Sequence, residues 1–260
     1  MKSTDIQKAY IGSTEVEKIY MGSDLIYQSA IDYSKRYFTL EALETGTFSF
    51  KEAGTGDPLQ YSLDNGTTWT SIVSQTSTPT VNAGQSIIWK GTRRAISHVN
   101  KGGIGTFSST GEFNVSGNIL SLAYGDSFDD KFDLTGLNYI FEDLLHSNSK
   151  LISAINLVLQ ATTLTRGCYK GMFYNCANLQ YAPVLPAITL AQECYWYGFS
   201  LCTSLTYLKC LAINLTGSNC VNNWLLNASS TGTFVKNPSM NSWPRNVSGI
   251  PSGWTVIDAS

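Results

Sequence analysis

Six cysteines are the residues in this sequence whose type most readily suggests chemistry, either as metal ligands or as disulfides. They are Cys168, Cys176, Cys194, Cys202, Cys210 and Cys220. Their separations of 8, 18, 8, 8 and 10 positions do not match the closely spaced cysteine pairs of structural zinc sites. We therefore expect small buried thiols stacked between repeated units, with a disulfide between neighbouring units as the alternative. No metal is predicted.

The histidines form no recognisable catalytic pattern. The chain has two, His98 and His146. His98 lies in a loop-like stretch, 91–105, beside Arg93, Arg94 and Lys101. Neither histidine has a nucleophile or an acid at a spacing that indicates a triad. We expect two ordinary surface or half-buried side chains.

Carboxylates are equally uninformative about catalysis. Asp126, Asp129 and Asp130 form an acidic cluster that lacks the glycine-turned spacing of an EF-hand. The cluster could bind calcium or could be a solvated linker, and the linker is the preferred interpretation. Residues 150–235 contain a single acid, Glu193, whereas glycoside hydrolysis requires a carboxylate pair. We predict no enzymatic activity and no cofactor.

Aromatic side chains are the feature of the C-terminal half that best suits recognition, because they combine contact area with a polar tip. Trp196 stands where the neighbouring copy has Lys170 and is expected to point outward. Tyr181 and Tyr207, 26 positions apart, fit either a core ladder or a stripe on a strand face, with core packing preferred. The predicted ligand-binding residues are Tyr181, Tyr195, Trp196, Tyr197 and Tyr207.

These residues must be positioned by an internal repeat. The stretch 168–179 aligns with 194–205 at a period of 26; a decayed copy starts at Cys220 and a weaker one ends at Leu151. Such a period is typical of a solenoid. Buried-type residues at offsets 0, 4, 5 and 8 predict one face of a short helix, followed by an extended segment. The predicted repeat core is Cys168, Met172, Phe173, Cys176, Leu179, Cys194, Phe199, Cys202, Leu205 and Cys220.

The first 30 residues contain a shorter repeat. Residues 8–16 match 18–26, each with a Gly-Ser turn signal inside a strand-forming run, which predicts a three-strand meander. So small a sheet needs a partner to be stable, so we predict an attachment module, with a sheet packed on its own chain as the alternative. The predicted attachment and oligomerisation residues are Tyr10, Ile11, Val16, Ile19, Tyr20, Met21, Ile26 and Tyr27.

Short alternating runs between 36 and 125 predict a β-sandwich, and Asn65-Gly66 marks one hairpin. The predicted fold is mainly β with short helices. Its predicted parts are a meander (1–30), an Ig-like β-sandwich (31–130), leucine-rich repeats (131–235) and a C-terminal β cap (236–260).

The composition limits the kinds of partner that the protein is expected to bind. The chain has 260 residues, a net charge of −2 and 14% charged residues, which gives no electrostatic case for nucleic acid or an anionic membrane. No uninterrupted apolar run is long enough to span a bilayer. Residues 1–8 lack the apolar region of a secretory signal. This favours a protein assembled in the cytoplasm, with a signal peptide removed from the given sequence as the alternative.

The repeats resemble BspA-like (Treponema-type) leucine-rich repeats. The resemblance is carried by the Cys-Tyr-x-Gly-Met-Phe-x-x-Cys-x-x-Leu string at 168–179, the Ala-Pro-x-Leu-Pro-Ala-x-Thr-Leu string at 182–190 and the Gly-Ile-Pro-Ser-Gly-Trp-Thr-Val string at 249–256. It implies adhesion or recognition by gut and oral bacteria, or by the mobile elements that infect them. The N-terminal string at 11–27 resembles a short segment of bacteriophage virion and tail proteins.

These expectations combine into one functional prediction: a non-enzymatic, structural and adhesive virion protein of head-fibre, decoration or tail-fibre type. Its N-terminus would bind other virion proteins, its repeats would face a host-surface glycan or protein, and the chain would form a homotrimer. It would be located in the virion. The alternatives are a cell-surface adhesin of a gut anaerobe and an accessory module of a carbohydrate-active enzyme.

Overall fold

The computed structural model describes the backbone of 10–11, 14–15, 18–21 and 24–28, and residues 32–52, 58–92, 105–246 and 248–260. The chain divides into two compact units, Met1–Asp32 and Tyr33–Ser260. The described part is mainly β, with short helices and several sheets. None of its helices is long and apolar enough to cross a membrane.

The first unit contains two antiparallel strand pairs within its described residues. These are β1 (Tyr10–Ile11) with β2 (Thr14–Glu15), and β3 (Lys18–Met21) with β4 (Asp24–Gln28). The predicted three-strand meander is therefore wrong in strand number. The reason is that each ten-residue copy contributes an antiparallel pair of its own, one strand from either side of its Gly-Ser signal.

The predicted attachment residues lie on these strands, except one. Tyr10 and Ile11 are in β1. The others described here are in β3 and β4, and they are Ile19, Tyr20, Met21, Ile26 and Tyr27. Val16 lies outside the described residues.

The second unit begins with a 3-10 helix, Tyr33–Lys35, and two sheets. The smaller sheet pairs β6 (Phe48–Glu52) antiparallel with β10 (Gly105–Ser109). The larger has the order β12-β11-β5-β9-β7-β8 and is antiparallel except for the parallel β11–β12 pair. Its strands are β5 (Phe38–Ala42), β7 (Gln60–Ser62), β8 (Thr70–Ser71), β9 (Ser86–Lys90), β11 (Phe113–Asn118) and β12 (Leu151–Val158).

Aromatic rings join these two sheets. The Phe107 ring, from the smaller sheet, lies 5.3 Å from Phe38 and 4.9 Å from Trp89 of the larger one, and all three side chains are buried. Strands were predicted from the alternating runs around Phe38 and Trp89, and both are confirmed, whereas the strand of Phe107 was not predicted. The hairpin β7–β8 is confirmed too, because Asn65 (φ 57°) and Gly66 (φ 91°) both adopt the positive φ that its turn needs.

Hydrogen bonds cross the point at which the sequence predicts a domain boundary, after residue 130. Strand β12 pairs in parallel with β11, from the other side of that point. The connection includes a short α-helix, α1 (Ser121–Tyr124), and a 3-10 helix, Gly125–Ser127. The larger sheet therefore continues into the C-terminal half.

Four nine-residue turn segments follow one another in the C-terminal half, at 139–147, 167–175, 193–201 and 219–227. In each, the first, fifth and ninth residues have φ between 53° and 64°. Every second residue donates its N–H to the next segment: Tyr169 N to Cys194 O at 3.0 Å, then Tyr195 N to Cys220 O at 2.9 Å. The intervening N–H groups close turns within the segment, as Met172 N does to Tyr169 O.

The short helix predicted over residues 168–176 is wrong: these residues form successive turns instead. A left-handed residue at every fourth position prevents an α-helix. The buried set Cys168, Tyr169, Met172, Phe173 and Cys176 follows a period of four. Over nine residues that pattern is hard to separate from the helical period of 3.6.

Extended stretches between the turn segments lie side by side. Tyr181 bridges in parallel to both Ser153 and Tyr207. A parallel three-stranded sheet then ends the chain, formed by β13 (Tyr207–Cys210), β14 (Gly232–Lys236) and β15 (Trp254–Asp258). The 26-residue sequence period therefore has a counterpart in the backbone hydrogen bonds.

Candidate functional site

An open groove of about 590 Å³ runs over the outward positions of the turn segments. Because each segment hydrogen-bonds to the next in the same register, side chains at equivalent positions form rows along the surface. The lining residues are Glu142, Asp143, His146, Lys170, Gly171, Tyr174, Trp196, Tyr197, Ser200, Leu201, Leu226 and Asn227.

A row of four rings crosses three of these segments. The His146 ring lies 5.1 Å from the Tyr174 ring, which lies 6.0 Å from Tyr197 in edge contact. Tyr197 in turn stacks on Trp196, with centroids 5.6 Å apart and planes 18° apart. The groove therefore has a continuous aromatic wall.

Lys170 holds that wall to the neighbouring segment. Its Nζ lies 3.0 Å from Glu142 Oε1, and both side chains are largely buried, with exposures of 14% and 7%. The same Nζ lies 4.9 Å from the centre of the Trp196 ring, a cation–π distance. The ion pair and the indole therefore orient one another.

The indole of Trp196 makes no hydrogen bond to the described residues. Its Nε1 is shielded from solvent and has no acceptor there, although a buried indole N–H normally has a partner. Ring packing and Lys170 therefore hold this side chain.

Tyr197 has an unfavourable backbone conformation. Its φ is 57°, in the left-handed region, where the equivalent residues are Gly171 (φ 59°) and Asn223 (φ 53°). Glycine and asparagine accept this conformation readily, whereas for a bulky residue it costs about 1–2 kcal/mol. The third turn segment uses bulky residues at its other left-handed positions as well, Glu193 and Leu201.

Glu193, the single acid of residues 150–235, joins neighbouring segments. Its carboxylate accepts hydrogen bonds from Arg166 Nη2 at 2.9 Å and from the Tyr139 hydroxyl at 3.0 Å. Burial raises the pKa of Glu193, but the hydrogen bonds from Arg166 and Tyr139 outweigh burial and lower it below 4.5. Glu193 is thus a structural anion.

The predicted ligand-binding residues separate into three groups. Trp196 and Tyr197 line the groove. Tyr181 and Tyr207 lie on the extended stretches, outside that lining, with Tyr181 43% exposed. The prediction for Tyr195 is corrected, because this residue is buried in the core and stacks on Tyr169 at 5.6 Å.

Sequence reasoning missed most of the other groove residues. His146 was expected to be an ordinary side chain, and Tyr174, although one of the aromatic residues of the repeats, was not among the predicted ligand-binding residues. The available signal was the period: Lys170, Gly171 and Tyr174 stand 26 positions before Trp196, Tyr197 and Ser200. An outward Trp196 therefore implied that its neighbours in the preceding copy were outward too.

The predicted repeat-core residues are all buried, and the six cysteines are free thiols. Burial raises the pKa of Cys168, Cys176 and Cys210 to about 12. Two thiols donate to carbonyl oxygens of the preceding segment, Cys176 to Leu145 O and Cys202 to Phe173 O. Such thiols are poor nucleophiles.

Other candidate groups do not converge on a site. Asp126 accepts hydrogen bonds from the Tyr37 hydroxyl and Lys90, whereas Asp129 pairs with Lys35. Among the residues described, no group of three or more His, Cys, Asp or Glu side chains could hold a metal ion. His98, with Arg93, Arg94 and Lys101, lies outside the described residues.

Comparisons with known proteins do not place the chain in a family. No family model, no curated protein and no solved structure matches it. The resemblances of the repeats and of the N-terminal string stay predictions.

Proposed function

We propose that this protein is a non-enzymatic, structural and adhesive component of a bacteriophage particle. Its first unit attaches to other virion proteins, and its C-terminal half presents a recognition surface to the host. In this proposal the stacked turn segments and strands are a leucine-rich-repeat solenoid, and the two aromatic-packed sheets are a β-sandwich.

The aromatic groove is the observation that carries the recognition role. Binding sites are concave, largely apolar and lined by a few fixed polar groups, and tyrosine and tryptophan provide contact area at low entropic cost. Here the rings stand on segments that share backbone hydrogen bonds. A surface held in this way loses little conformational freedom on binding.

The groove carboxylates support a binding role over hydrolysis. The acids of the lining, Glu142 and Asp143, are adjacent in one segment, whereas glycoside hydrolysis needs two carboxyl groups on opposite sides of the bond. Glu142 is also paired with Lys170. This arrangement suits hydrogen bonding to a ligand.

The attachment role rests on the N-terminal resemblance and on the first unit being compact by itself. Two short hairpins bury too little apolar surface to be stable alone. Association with another virion protein, or of three copies with one another, would bury more apolar surface.

Immunogold labelling of gradient-purified phage particles tests this proposal. An antibody against the full chain should label the surface of intact particles, and the purified chain should bind host cells and compete with phage adsorption. Absence of the chain from particles that label for their capsid protein would refute the virion role.

A further inference from the structure

We infer that the C-terminal end of the stack of turn segments is a second binding site, which takes an anionic glycopolymer bearing phosphate or carboxylate groups. The site is formed by backbone N–H groups of the last turn segment, 219–227, and by Arg245 of the chain that covers it. This inference adds a surface to the recognition function proposed above and rests on that function for the source of the ligand.

The backbone hydrogen bonds between turn segments all point the same way. Each of the first three segments donates five N–H groups to carbonyl oxygens at the next segment, at 2.8–3.1 Å. These N–H groups therefore point toward the C-terminal end of the stack. Aligned peptide dipoles leave partial positive charge at the end where the last donors have no acceptor, as at the N-terminus of a helix.

The last segment has the same donors but no acceptors for them. Five of its residues, at every second position, make no hydrogen bond through their N–H groups to the described residues; they are Asn219, Val221, Asn223, Leu225 and Asn227. Both ends of this donor row are open, since Asn219 and Asn227 are exposed. Successive backbone N–H groups in turns form anion-binding sites in many proteins.

The chain that covers the last segment supplies no acceptor for the donor row. Trp243 stacks on Trp224 with ring centroids 5.4 Å apart, and Ser248 Oγ lies 3.0 Å from Asn222 Oδ1. Trp243 is 6% exposed, and its Nε1 is a further buried donor without an acceptor among the described residues. The unpartnered groups at this end are donors, so a matching ligand must bring acceptors.

Charge favours an anion over a neutral acceptor. Residues 194–257 contain Lys209, Lys236 and Arg245 and no acidic residue. Lys236 is neutralised by Asp258, whereas Arg245 is exposed and donates three hydrogen bonds, all to backbone carbonyl oxygens. Because a guanidinium has five N–H donors, the charge of Arg245 and two of its donors are not used among the described residues.

The same end of the stack does not suit a nucleic acid. Proteins that bind single strands stack the bases on exposed aromatic rings, but Trp224 and Trp243 are buried against each other. The donor row and Arg245 instead match the anionic groups of a glycopolymer. Single-stranded DNA is the competing class of ligand.

Isothermal titration calorimetry of the full chain tests the inference directly. The probes are oligomers of polyglycerol phosphate and of polygalacturonate, which separate phosphate from carboxylate, with dextran as the uncharged polymer and a single-stranded DNA oligomer as the competitor. At least one anionic glycopolymer should bind and dextran should not. The affinity should fall about tenfold between about 50 and 300 mM salt, because the attraction is partly electrostatic.

Two matched variants locate the site. Asn227→Asp and Asn175→Asp each add one negative charge at an exposed residue with a left-handed φ, 55° and 58°. Asn227 ends the unpaired donor row, whereas Asn175 donates its N–H to Ser200 O. Asn227→Asp should weaken anion binding about tenfold or more, and Asn175→Asp should leave it unchanged. The thermal unfolding midpoint of Asn227→Asp should equal or exceed that of the unmodified chain, because the new carboxylate lies beside unpaired donors.

A second pair of variants removes one positive charge each. Arg245→Gln should weaken anion binding about tenfold, whereas Lys209→Gln, in strand β13, should leave it unchanged. Trp196→Ala should also leave it unchanged, since Trp196 belongs to the groove.

The outcomes separate this inference from the proposed function. Failure of both anionic glycopolymers, equal binding of dextran, an affinity independent of salt, or tighter binding of DNA would each overturn the assignment of the ligand. Equal losses within either matched pair, or loss of binding in Trp196→Ala, would overturn the location. If the chain still labels particles and binds host cells in any of these cases, the proposed function stands without the inference.

Discussion

Phe173 and Phe199, 26 positions apart, stack with ring centroids 5.2 Å apart and planes 9° apart. A second stack runs beside them, from Phe141 to Tyr169 to Tyr195. Equivalent residues of consecutive turn segments therefore pack directly on one another, so the segments stabilise each other through side chains as well as backbone.

Removing a ring from this stack should destabilise the chain strongly. Phe199 is 1% exposed, so Phe199→Ala leaves a cavity in the core. We expect this variant to lose about 3–5 kcal/mol in the free energy of unfolding. Urea denaturation followed by circular dichroism measures it. Ile188→Ala, at a 43% exposed side chain, is the control and should cost under about 1 kcal/mol. Equal costs for the two variants would contradict the stacking.

The buried thiols should be unreactive in the folded protein. With burial raising the pKa of Cys168 to about 12, almost none of this thiol is ionised at pH 8, and the thiolate is the reactive form. Iodoacetamide at pH 8 should therefore leave the native cysteines unmodified by mass spectrometry. The same reagent should modify all six in guanidinium chloride. Rapid native labelling of Cys168 would show that the segment opens.

Stability should fall at alkaline pH for the same reason. The pKa of Cys210 is about 12 when folded and near 9 when exposed, so the unfolded chain loses its proton first as the pH rises. The stability is fully present below pH 9 and decreases between pH 9 and 12, by about 1.4 kcal/mol per pH unit for each such thiol. Denaturation in reductant at pH 8, 9.5 and 10.5 measures the slope. Cys210→Ala should reduce this slope by the contribution of one thiol. An unchanged slope would argue against burial of the Cys210 side chain.

Glu193 should contribute the opposite pH dependence. Its pKa is lowered in the folded chain, so its stabilising effect is present above about pH 4.5 and is lost as the pH falls through the lower folded value. Glu193→Gln should cost about 1–3 kcal/mol at neutral pH and much less at pH 3. Chemical denaturation at both pH values tests this, and an equal cost at both would mean that the charge is unimportant.

Two left-handed positions should respond in opposite ways, since position 171 should lose stability with Ala whereas position 201 should tolerate Asn. Gly171→Ala would place a β-carbon against Asp143 Oδ1 at φ +59°, and we expect a loss of about 1–3 kcal/mol in the free energy of unfolding. Leu201→Asn, at φ 64°, should be neutral or stabilising, because Asn175 and Asn227 occupy the equivalent positions. Thermal unfolding of both variants provides the comparison. If Gly171→Ala is as stable as the unmodified chain, the expected strain of a β-carbon at position 171 is contradicted.

Much of the strand content was predictable because it depends on local patterns. The strands β5, β6, β9 and β11 follow alternating runs, and the β7–β8 hairpin follows its Asn-Gly signal. The turn segments were not predicted, although a signal was present: Gly167, Gly171 and Asn175 stand four apart, as do Asn219, Asn223 and Asn227. The third segment does not show this signal, because its equivalent positions hold Glu193, Tyr197 and Leu201.

The groove residues were harder to predict from the sequence than the core residues. Trp196 was identified because its equivalent is Lys170, but Tyr195 was predicted to be a ligand-binding residue only because it belongs to the aromatic set of the repeats. The two neighbours in sequence have opposite orientations, because in a turn of four residues adjacent positions can face the core and the solvent. No composition or spacing rule separates them without the hydrogen bonds between segments.

The sequence by itself determined the 26-residue period, the buried cysteine and phenylalanine positions and most strands, because each of these can be recognised from the order of residue types along the chain. The tertiary structure decided that consecutive segments pair in register, that a ring row forms across three of them, and that Lys170 meets both Glu142 and Trp196. These depend on contacts between residues about 26 positions apart. Such contacts arise only when the segments pack, because the packing sets which side of each turn is left to solvent.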